Sequence, residues 1–282
     1  MRENKMAVLF SGGTDSTLAA ALAAETHEKV HLVTYDRFGL FDTESNTGRA
    51  ARTLIDRLGS QKIVHDIVRY DALFKYTSYE NYLSNLMRYR FFLLSTCGLC
   101  KLAMHVRTIV YCLDNDIGHA SDGANKGMDL FPAQMENVLA EIRGLYKEFG
   151  ITYTNPVFNY EPPEEGEFLE KQNLALVKPD FESDPGAEKP VDKSKTTGYR
   201  LQKMRLAPAE NVKGTAYDRQ RQPRCFQFIL FNVFAKKYYL ASHSMDEYRE
   251  DTLTFYKSKI ESCRRLLTGY VRDGSHADIL KG

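Results

Sequence analysis

A short segment near the N-terminus constrains this chain more than any other feature. Residues 11–17 read SGGTDST and follow the apolar run MAVLF at residues 6–10. The segment 14–24 is rich in alanine and leucine, which favours a helix. A buried strand, a glycine turn and a helix in direct succession are typical of phosphate-binding α/β proteins. We therefore expect an anion site at this turn.

The residue types of the turn suit a phosphate group. Gly12 and Gly13 let the backbone approach an anion with no Cβ in the way, and the following helix directs its first N–H groups to the same point. Asp15 fits this site if Mg²⁺ bridges its carboxylate to the phosphates. Hydroxyl groups come from Ser11, Thr14, Ser16 and Thr17. The alternative is an ordinary strand-to-helix turn that Thr14 caps.

Further apolar runs predict the architecture. Strands are expected at residues 30–35, 62–68 and 117–121, and helices at residues 44–58, 97–115 and 132–149. Strands that alternate with helices predict an α/β fold, with a parallel sheet flanked by helices. Residues 246–267 predict a charged terminal helix, so we expect a mostly helical C-terminal extension.

Charge is distributed unevenly in the second half of the chain. Residues 159–192 contain ten acidic and three basic side chains, whereas residues 193–237 contain eleven basic and two acidic ones. The basic stretch also contains Tyr199 and Tyr217, a combination that can neutralise RNA phosphates and stack on bases. A solvated loop that pairs with the acidic block is the alternative. We place the domain boundary here, with one domain at 1–158 and a substrate-binding region at 159–282.

Three of the five cysteines lie where chemistry is expected. Cys97 and Cys100 form a CxxC pair ahead of a predicted helix, whose N-terminus should lower the thiol pKa values. Cys225 precedes an apolar run that also predicts a helix. Such thiolates can carry sulfur, hold an iron–sulfur cluster, or bind zinc with a fourth ligand. The alternative is a set of buried thiols without chemistry, which we expect for Cys112 and Cys263.

The string at residues 11–17 matches the SGGxDS signature of the PP-loop ATP pyrophosphatases, which this chain resembles. The resemblance implies a Rossmann-like (HUP-type) fold and cleavage of ATP into AMP and pyrophosphate. AMP would be attached to a substrate oxygen, and a nucleophile would then displace it. The resemblance also implies that Asp15 binds Mg²⁺. By the same resemblance, the pyrophosphate would be held by Ser11, Gly12, Gly13, Ser16 and Thr17.

A second stretch resembles a loop of one member of this family. Residues 122–129 read DGANKGMD and are similar to the GxNxxD-type loop of 7-cyano-7-deazaguanine synthase. This resemblance implies that Gly123 allows close approach of the nucleotide and that Asn125 and Asp129 contact it. An ordinary loop of glycine, asparagine and aspartate is the alternative.

The cysteines resemble those of the thiolation enzymes in the same family. The CxxCK string at residues 97–101 is similar to an element of the 4-thiouridine synthetase group. Several thiolation enzymes carry a CxxC pair and one distant cysteine, which hold a [4Fe–4S] cluster or cycle through persulfide and disulfide. The resemblance implies that Cys97, Cys100 and Cys225 act in one of these ways.

We therefore predict an enzyme that adenylates a substrate oxygen and replaces it with sulfur from an external donor, on a small molecule or a tRNA. The expected cofactors are ATP, Mg²⁺ and, in one version, the [4Fe–4S] cluster. The alternatives are an amide or nitrile ligase that uses ammonia and a nucleotide-binding protein without turnover. In 282 residues, no apolar run approaches the roughly 18 residues of a membrane span, and no signal peptide is evident. We expect a cytoplasmic protein, and a homodimer is one expected assembly.

Overall fold

The computed structural model describes residues 3–89, 98–128, 131–161, 193–208, 217, 220–225 and 238–282. In these ranges the large sheet contains β1 (Glu3–Leu9), β2 (Lys29–Asp36), β4 (Ile63–Arg69), β5 (Ile117–Ser121) and β6 (Thr152–Thr154). A small sheet pairs β3 (Leu40–Phe41) with β7 (Arg224–Cys225). The helices are α1 (Thr14–Thr26), α2 (Thr43–Leu58), α3 (Asp71–Tyr79), α4 (Tyr82–Tyr89), α5 (Leu99–Asp114), α6 (Glu136–Glu148), α7 (Thr197–Lys203), α8 (Met245–Asp273) and α9 (Ala277–Lys281).

The strands of the large sheet run parallel in the order β4–β2–β1–β5–β6. From β1 the chain moves outward through β2 to β4, and then crosses back to place β5 on the other side of β1. The direction of winding therefore reverses between β1 and β5. Ligands of open parallel sheets bind at such a reversal, beyond the carboxyl ends of the strands. The loop at residues 11–17 leaves β1 at this point.

Alternate residues of β1 enter two separate core layers, because successive side chains of a strand lie on opposite faces. Met6 and Val8 join a layer that contains residues of α1 and α2. Ala7 and Leu9 join a layer that contains residues of α5, α6 and α8. Helices thus cover both faces of a parallel sheet. The predicted Rossmann-like α/β fold is confirmed, together with a helical C-terminal region.

Helix α8 extends beyond the predicted residues 246–267 at both ends. At its start, the Ser244 side chain accepts a hydrogen bond from the Glu247 N–H, and the Glu247 carboxylate accepts one from the Ser244 N–H. The helix ends at Gly274, whose φ of 75° suits glycine. None of the helices in the described part of the chain has the length and apolar character needed to cross a membrane.

The single helix predicted over residues 132–149 is wrong in its first turn. Pro132–Gln134 forms a short 3-10 helix, Met135 has an extended backbone, and α6 begins only at Glu136. The extended backbone places the Met135 side chain in the core, where it is 2% exposed. Packing at this position therefore overrides the helical pattern. The domain boundary after residue 158 remains a prediction.

His105 provides a test of the core between α5 and the sheet. Its side chain is fully buried, its Nδ1 lies 3.1 Å from the Tyr146 hydroxyl, and burial lowers its pKa to about 3. Below pH 6.5, the ordinary pKa of histidine, His105 is protonated in the unfolded chain but stays neutral in the folded chain. This difference lowers the free energy of unfolding by roughly 2 kcal/mol between pH 6.5 and pH 5.

We predict that His105→Gln loses less stability than the wild type when the pH falls from 7 to 5. The measurement is urea unfolding at both pH values, compared with His243→Gln, which changes an exposed histidine. An unchanged pH dependence in His105→Gln would show that His105 is not the buried neutral group described above.

Candidate active site

A cavity of about 480 Å³ lies beyond the carboxyl ends of β1, β2 and β5. The loop after β1 contributes Ser11, Gly13, Thr14, Asp15 and Ser16 to its wall. The other walls include Arg37, Cys100, Lys101, Asp122, Gly123, Gln222 and Cys225. Residues from five distant parts of the sequence therefore meet at the winding reversal of the sheet.

Hydrogen bonds between hydroxyl and backbone groups shape the loop at residues 11–17. The Ser16 hydroxyl accepts a bond from the Ser11 N–H at 3.3 Å and donates one to the Gly13 carbonyl at 3.1 Å. Thr17 Oγ1 donates to the Gly12 carbonyl at 3.4 Å. These bonds fix the turn so that α1 begins at the cavity wall.

Thr14 is the loop residue whose hydroxyl is available to a ligand. Its side chain lines the cavity and is 7% exposed, and Oγ1 has no hydrogen-bond partner among the described residues. A buried hydroxyl of this kind costs free energy unless a ligand or water satisfies it. The N-cap residue Gly13 offers no side chain to the first turn of α1, which leaves N–H groups facing the cavity. Together these donors suit a phosphate.

Asp15 lies in the first turn of α1 and lines the same cavity. Its Oδ1 accepts a hydrogen bond from the Thr197 hydroxyl at 2.7 Å. Thr197 belongs to α7, in the basic part of the chain, so a C-terminal element orients the carboxylate. A carboxylate held beside a phosphate loop fits Mg²⁺, which binds through one or two carboxylates and substrate phosphates.

Asp122, at the end of β5, holds a lysine at the cavity wall. Its Oδ2 lies 2.6 Å from Lys101 Nζ, and Oδ1 accepts hydrogen bonds from the Ala124 N–H at 2.9 Å and Asn155 Nδ2 at 2.7 Å. Burial alone would raise the pKa of Asp122, but the charge of Lys101 and the hydrogen bonds from Lys101 and the Ala124 N–H help to bring it down to about 2. The carboxylate therefore stays charged, and Lys101 presents its ammonium to the cavity.

Gly123 and Asn125 have different surroundings. A Cβ on Gly123 would lie 2.5 Å from Ser16 N, so the missing side chain allows the β5 loop to touch the start of α1. Asn125 is 1% exposed, and its side-chain amide donates to the Val157 carbonyl at 3.3 Å. The Asn125 side chain is thus engaged in a hydrogen bond within the protein, and its role in nucleotide binding remains a prediction. Residue 129, also assigned to the nucleotide, lies outside the described residues.

Two of the three predicted cysteines meet at the cavity. Cys100 is the second residue of α5, and Cys225 belongs to β7, where it pairs with Leu40. Cys225 itself has an extended backbone, and the helix predicted after it falls on residues 226–237, outside the described residues. Cys97 lies outside the described residues. Cys112 and Cys263 are buried in the core, at 0% and 1% exposure.

Arg37 connects the two cysteines. Its Nη2 donates to Cys225 Sγ at 3.7 Å, and its positive charge acts on the Cys100 thiol, where it favours a lower pKa. The guanidinium lies 4.0 Å from the centre of the Phe74 ring. At 4% exposure, Arg37 is a buried cation that the ring and the sulfurs stabilise together.

Burial raises the pKa of the Cys100 thiol, and the opposing effect of Arg37 does not compensate for it. The prediction that the helix start lowers the pKa is therefore wrong for Cys100. Removal of the sulfur from water outweighs the favourable field of the helix N-terminus.

Sequence reasoning missed Arg37, Thr197 and Gln222 as residues of the site. Arg37 directly follows β2, and a polar residue at the carboxyl end of a parallel strand was the available signal. Thr197 and Gln222 carry no such local signal, because their partners lie far away in the sequence.

Comparison with known proteins identifies the family of this chain. The solved structure of a "predicted subunit of tRNA methyltransferase" from Methanocaldococcus jannaschii DSM is 17% identical, covers 79% of this chain and 96% of its own, and has a TM-score of 0.39. No match was found among curated proteins. The asparagine synthase family matches residues 1–224. Because this match covers most of the chain, the protein belongs to the asparagine synthase family, within the PP-loop ATP pyrophosphatase superfamily, and is an ATP-utilising enzyme.

Proposed function

We propose that the protein adenylates a carbonyl-type oxygen of an acceptor and replaces that oxygen with sulfur. One observation carries the proposal: Cys100 and Cys225, far apart in the sequence, both reach the cavity that the phosphate loop lines. The two reactions of a thiolation enzyme, activation by ATP and delivery of sulfur, therefore have suitable groups within one cavity.

The first reaction uses the loop at residues 11–17. The acceptor oxygen attacks the α-phosphorus of ATP, and pyrophosphate leaves. Thr14 and the N–H groups of the first turn of α1 hold the leaving pyrophosphate, and Lys101 supplies a positive charge beside them. Asp15 would hold Mg²⁺, which supplies charge neutralisation to the phosphates when it is bound.

The second reaction uses the two thiols. A persulfide on Cys225, loaded by an external sulfane-sulfur donor, attacks the activated carbon with its terminal sulfur, and AMP leaves. The Cys100 thiol then attacks Cys225 Sγ and passes its proton to the departing acceptor sulfur, which forms a Cys100–Cys225 disulfide and leaves the delivered sulfur on the acceptor. An external thiol reductant must reduce that disulfide. Arg37 donates to Cys225 Sγ, and its positive charge acts on both sulfurs, so it stabilises the anionic forms.

A [4Fe–4S] cluster is the other version of the sulfur chemistry, and it needs three thiolates when one iron stays open. The described residues supply two, Cys100 and Cys225, and the predicted third, Cys97, lies outside them. Within the described ranges, no group of three side chains suited to a metal ion occurs. Cys100 and Cys225 alone do not form a cluster site, and we therefore propose that sulfur is delivered through these two thiols.

An amide ligase that uses ammonia is the second candidate, and the name of the matching family, asparagine synthase, favours it. Such an enzyme would use the same adenylation step, after which ammonia would displace AMP. The cysteines separate the two candidates, because a ligase does not need Cys100 or Cys225 for chemistry.

For the acceptor, we propose an RNA of the tRNA class. Lys195, Arg200, Lys203 and Arg205 are exposed and occupy one short segment around α7. Leu201 belongs to the same core layer as residues of α1 and fixes this segment beside the helix that starts at the phosphate loop. Exposed cations next to the cavity suit a phosphodiester backbone.

The assignment of Asp15 predicts that ATP binding loses its dependence on Mg²⁺ in Asp15→Asn. The substitution keeps the shape of the side chain but removes the charge that holds the ion. Calorimetric titration of ATP with and without Mg²⁺ measures this dependence, which we expect to fall by about tenfold or more. Asp56→Asn, an exposed change on α2, is the control. Full Mg²⁺ dependence in Asp15→Asn would exclude Asp15 as the ligand.

The thiol route predicts opposite effects of the two cysteines after exposure to a polysulfide donor. Cys225→Ser should lose the persulfide adduct that mass spectrometry detects, whereas Cys100→Ser should accumulate it, because the resolving thiol is missing. ATP binding should be unchanged in both variants. No adduct on Cys225 in the wild type, combined with AMP formation that depends on ammonia, would support the ligase instead. About four iron atoms per chain after anaerobic purification would support the cluster.

An RNA acceptor predicts salt-dependent binding of bulk tRNA through the segment around α7. The triple variant Arg200→Gln, Lys203→Gln, Arg205→Gln should bind more weakly and show a shallower dependence of log affinity on log salt, by about 2–3 units of slope. The matched control removes three exposed cations of α8, Lys257, Arg265 and Arg272. Equal losses in both triple variants would argue against a specific RNA surface.

A further inference from the structure

A segment from the C-terminal part of the chain lies directly on the phosphate loop. We call residues 221–225 the strap. A Cβ on Gly12 would lie 2.0 Å from the Arg221 carbonyl oxygen, and a Cβ on Gly13 would lie 2.7 Å from Cδ and Oε1 of Gln222. The two glycines of the SGG motif therefore make room for the strap as well as for an anion.

Three contacts hold the first part of the strap in place. Arg221 Nη2 donates to the Ala50 carbonyl at 3.3 Å and to Thr53 Oγ1 at 3.1 Å, which ties the strap to α2. Asn46 Nδ2 donates to the Gln222 carbonyl at 2.8 Å. Asn46 is itself 3% exposed, so this anchor is part of the packed interior. The backbone of Gln222 is thereby fixed before any ligand arrives.

The second part of the strap is held by the small sheet. Arg224 and Cys225 pair with Phe41 and Leu40, and Pro223 restricts the backbone between the two anchored parts. The Gln222 side chain lines the cavity together with Thr14 and Asp15 of the loop. A neutral amide thus lies on the glycine face of the loop, within the same cavity as the groups assigned to the phosphates.

We propose that the Gln222 side-chain amide is a ligand of the pyrophosphate part of ATP, supplied by the strap. The inference rests on the ATP cleavage proposed above. An amide N–H₂ donates to phosphate oxygens without the desolvation cost of a charged group. Because the backbone anchors are already formed, little conformational entropy is lost when the amide binds.

The test compares binding of magnesium pyrophosphate and of AMP by titration calorimetry, in the wild type and in two variants. Gln222→Glu keeps the size of the side chain and replaces the donor with a negative charge. We expect its affinity for pyrophosphate to fall by about tenfold or more, because a charged acceptor faces a polyanion. AMP affinity should change less than about twofold. Gln222→Ala should also weaken pyrophosphate binding, by a smaller factor.

Gln61→Glu is the matched control, because it makes the same change at an exposed position outside the cavity wall. Equal pyrophosphate affinity in Gln222→Glu, Gln222→Ala and the wild type would overturn the inference. Tighter binding in Gln222→Ala would also overturn it, because Gln222 would then block the site rather than serve it. A wild type that binds neither pyrophosphate nor ATP would instead contradict the phosphate-loop assignment, so the two failures are distinguishable.

Discussion

Close contact at three glycines determines how the parts of the site meet. A Cβ would lie 2.0 Å from the strap at Gly12, 2.7 Å from the strap at Gly13, and 2.5 Å from the start of α1 at Gly123. The atoms met at Gly12 and Gly123 belong to the backbone, so these two contacts require glycine, whereas the atoms met at Gly13 are the end of the Gln222 side chain. The phosphate loop is consequently enclosed by the β5 loop and by the strap. Of the side chains that line the cavity, Gln222 and Cys225 are carried by the strap, and Asp122, which holds Lys101, directly precedes Gly123.

The buried carboxylate of Asp122 also stabilises this arrangement. The carboxylate is bound by Lys101, Asn155 and the Ala124 N–H, which belong to α5, to the residues after β6 and to the β5 loop. Loss of one partner would leave a buried charge insufficiently paired, which costs several kcal/mol (about 3–5). The position of Lys101 beside the phosphate loop therefore depends on the same interactions that hold β5, β6 and α5 together.

Local pattern was sufficient to predict the phosphate loop and the parallel sheet, because a strand, a glycine turn and an alanine-rich helix follow each other directly. It was insufficient for Arg37 and Gln222, whose roles depend on contacts with residues far away in the sequence. Tertiary packing also explains the predictions that were wrong. Burial raises the pKa of Cys100. Packing of Met135 in the core gives it an extended backbone, so it lies outside the helix. The sequence rules for helix N-termini consider only neighbouring residues, so they omit burial and core packing.

The distribution of positive charge in the cavity follows from the same long-range contacts. A polyphosphate and an anionic sulfur would repel each other within about 480 Å³. Two cations in the cavity would offset this repulsion. Asp122 pairs with Lys101, whereas the Phe74 ring and the two sulfurs stabilise Arg37. Lys101 and Cys100 are neighbours in sequence, yet the lysine pairs with Asp122, whereas the thiol lies in the field of Arg37. The start of α5 would therefore separate the two proposed reactions, because Lys101 lies with Asp122 and Cys100 lies with Arg37.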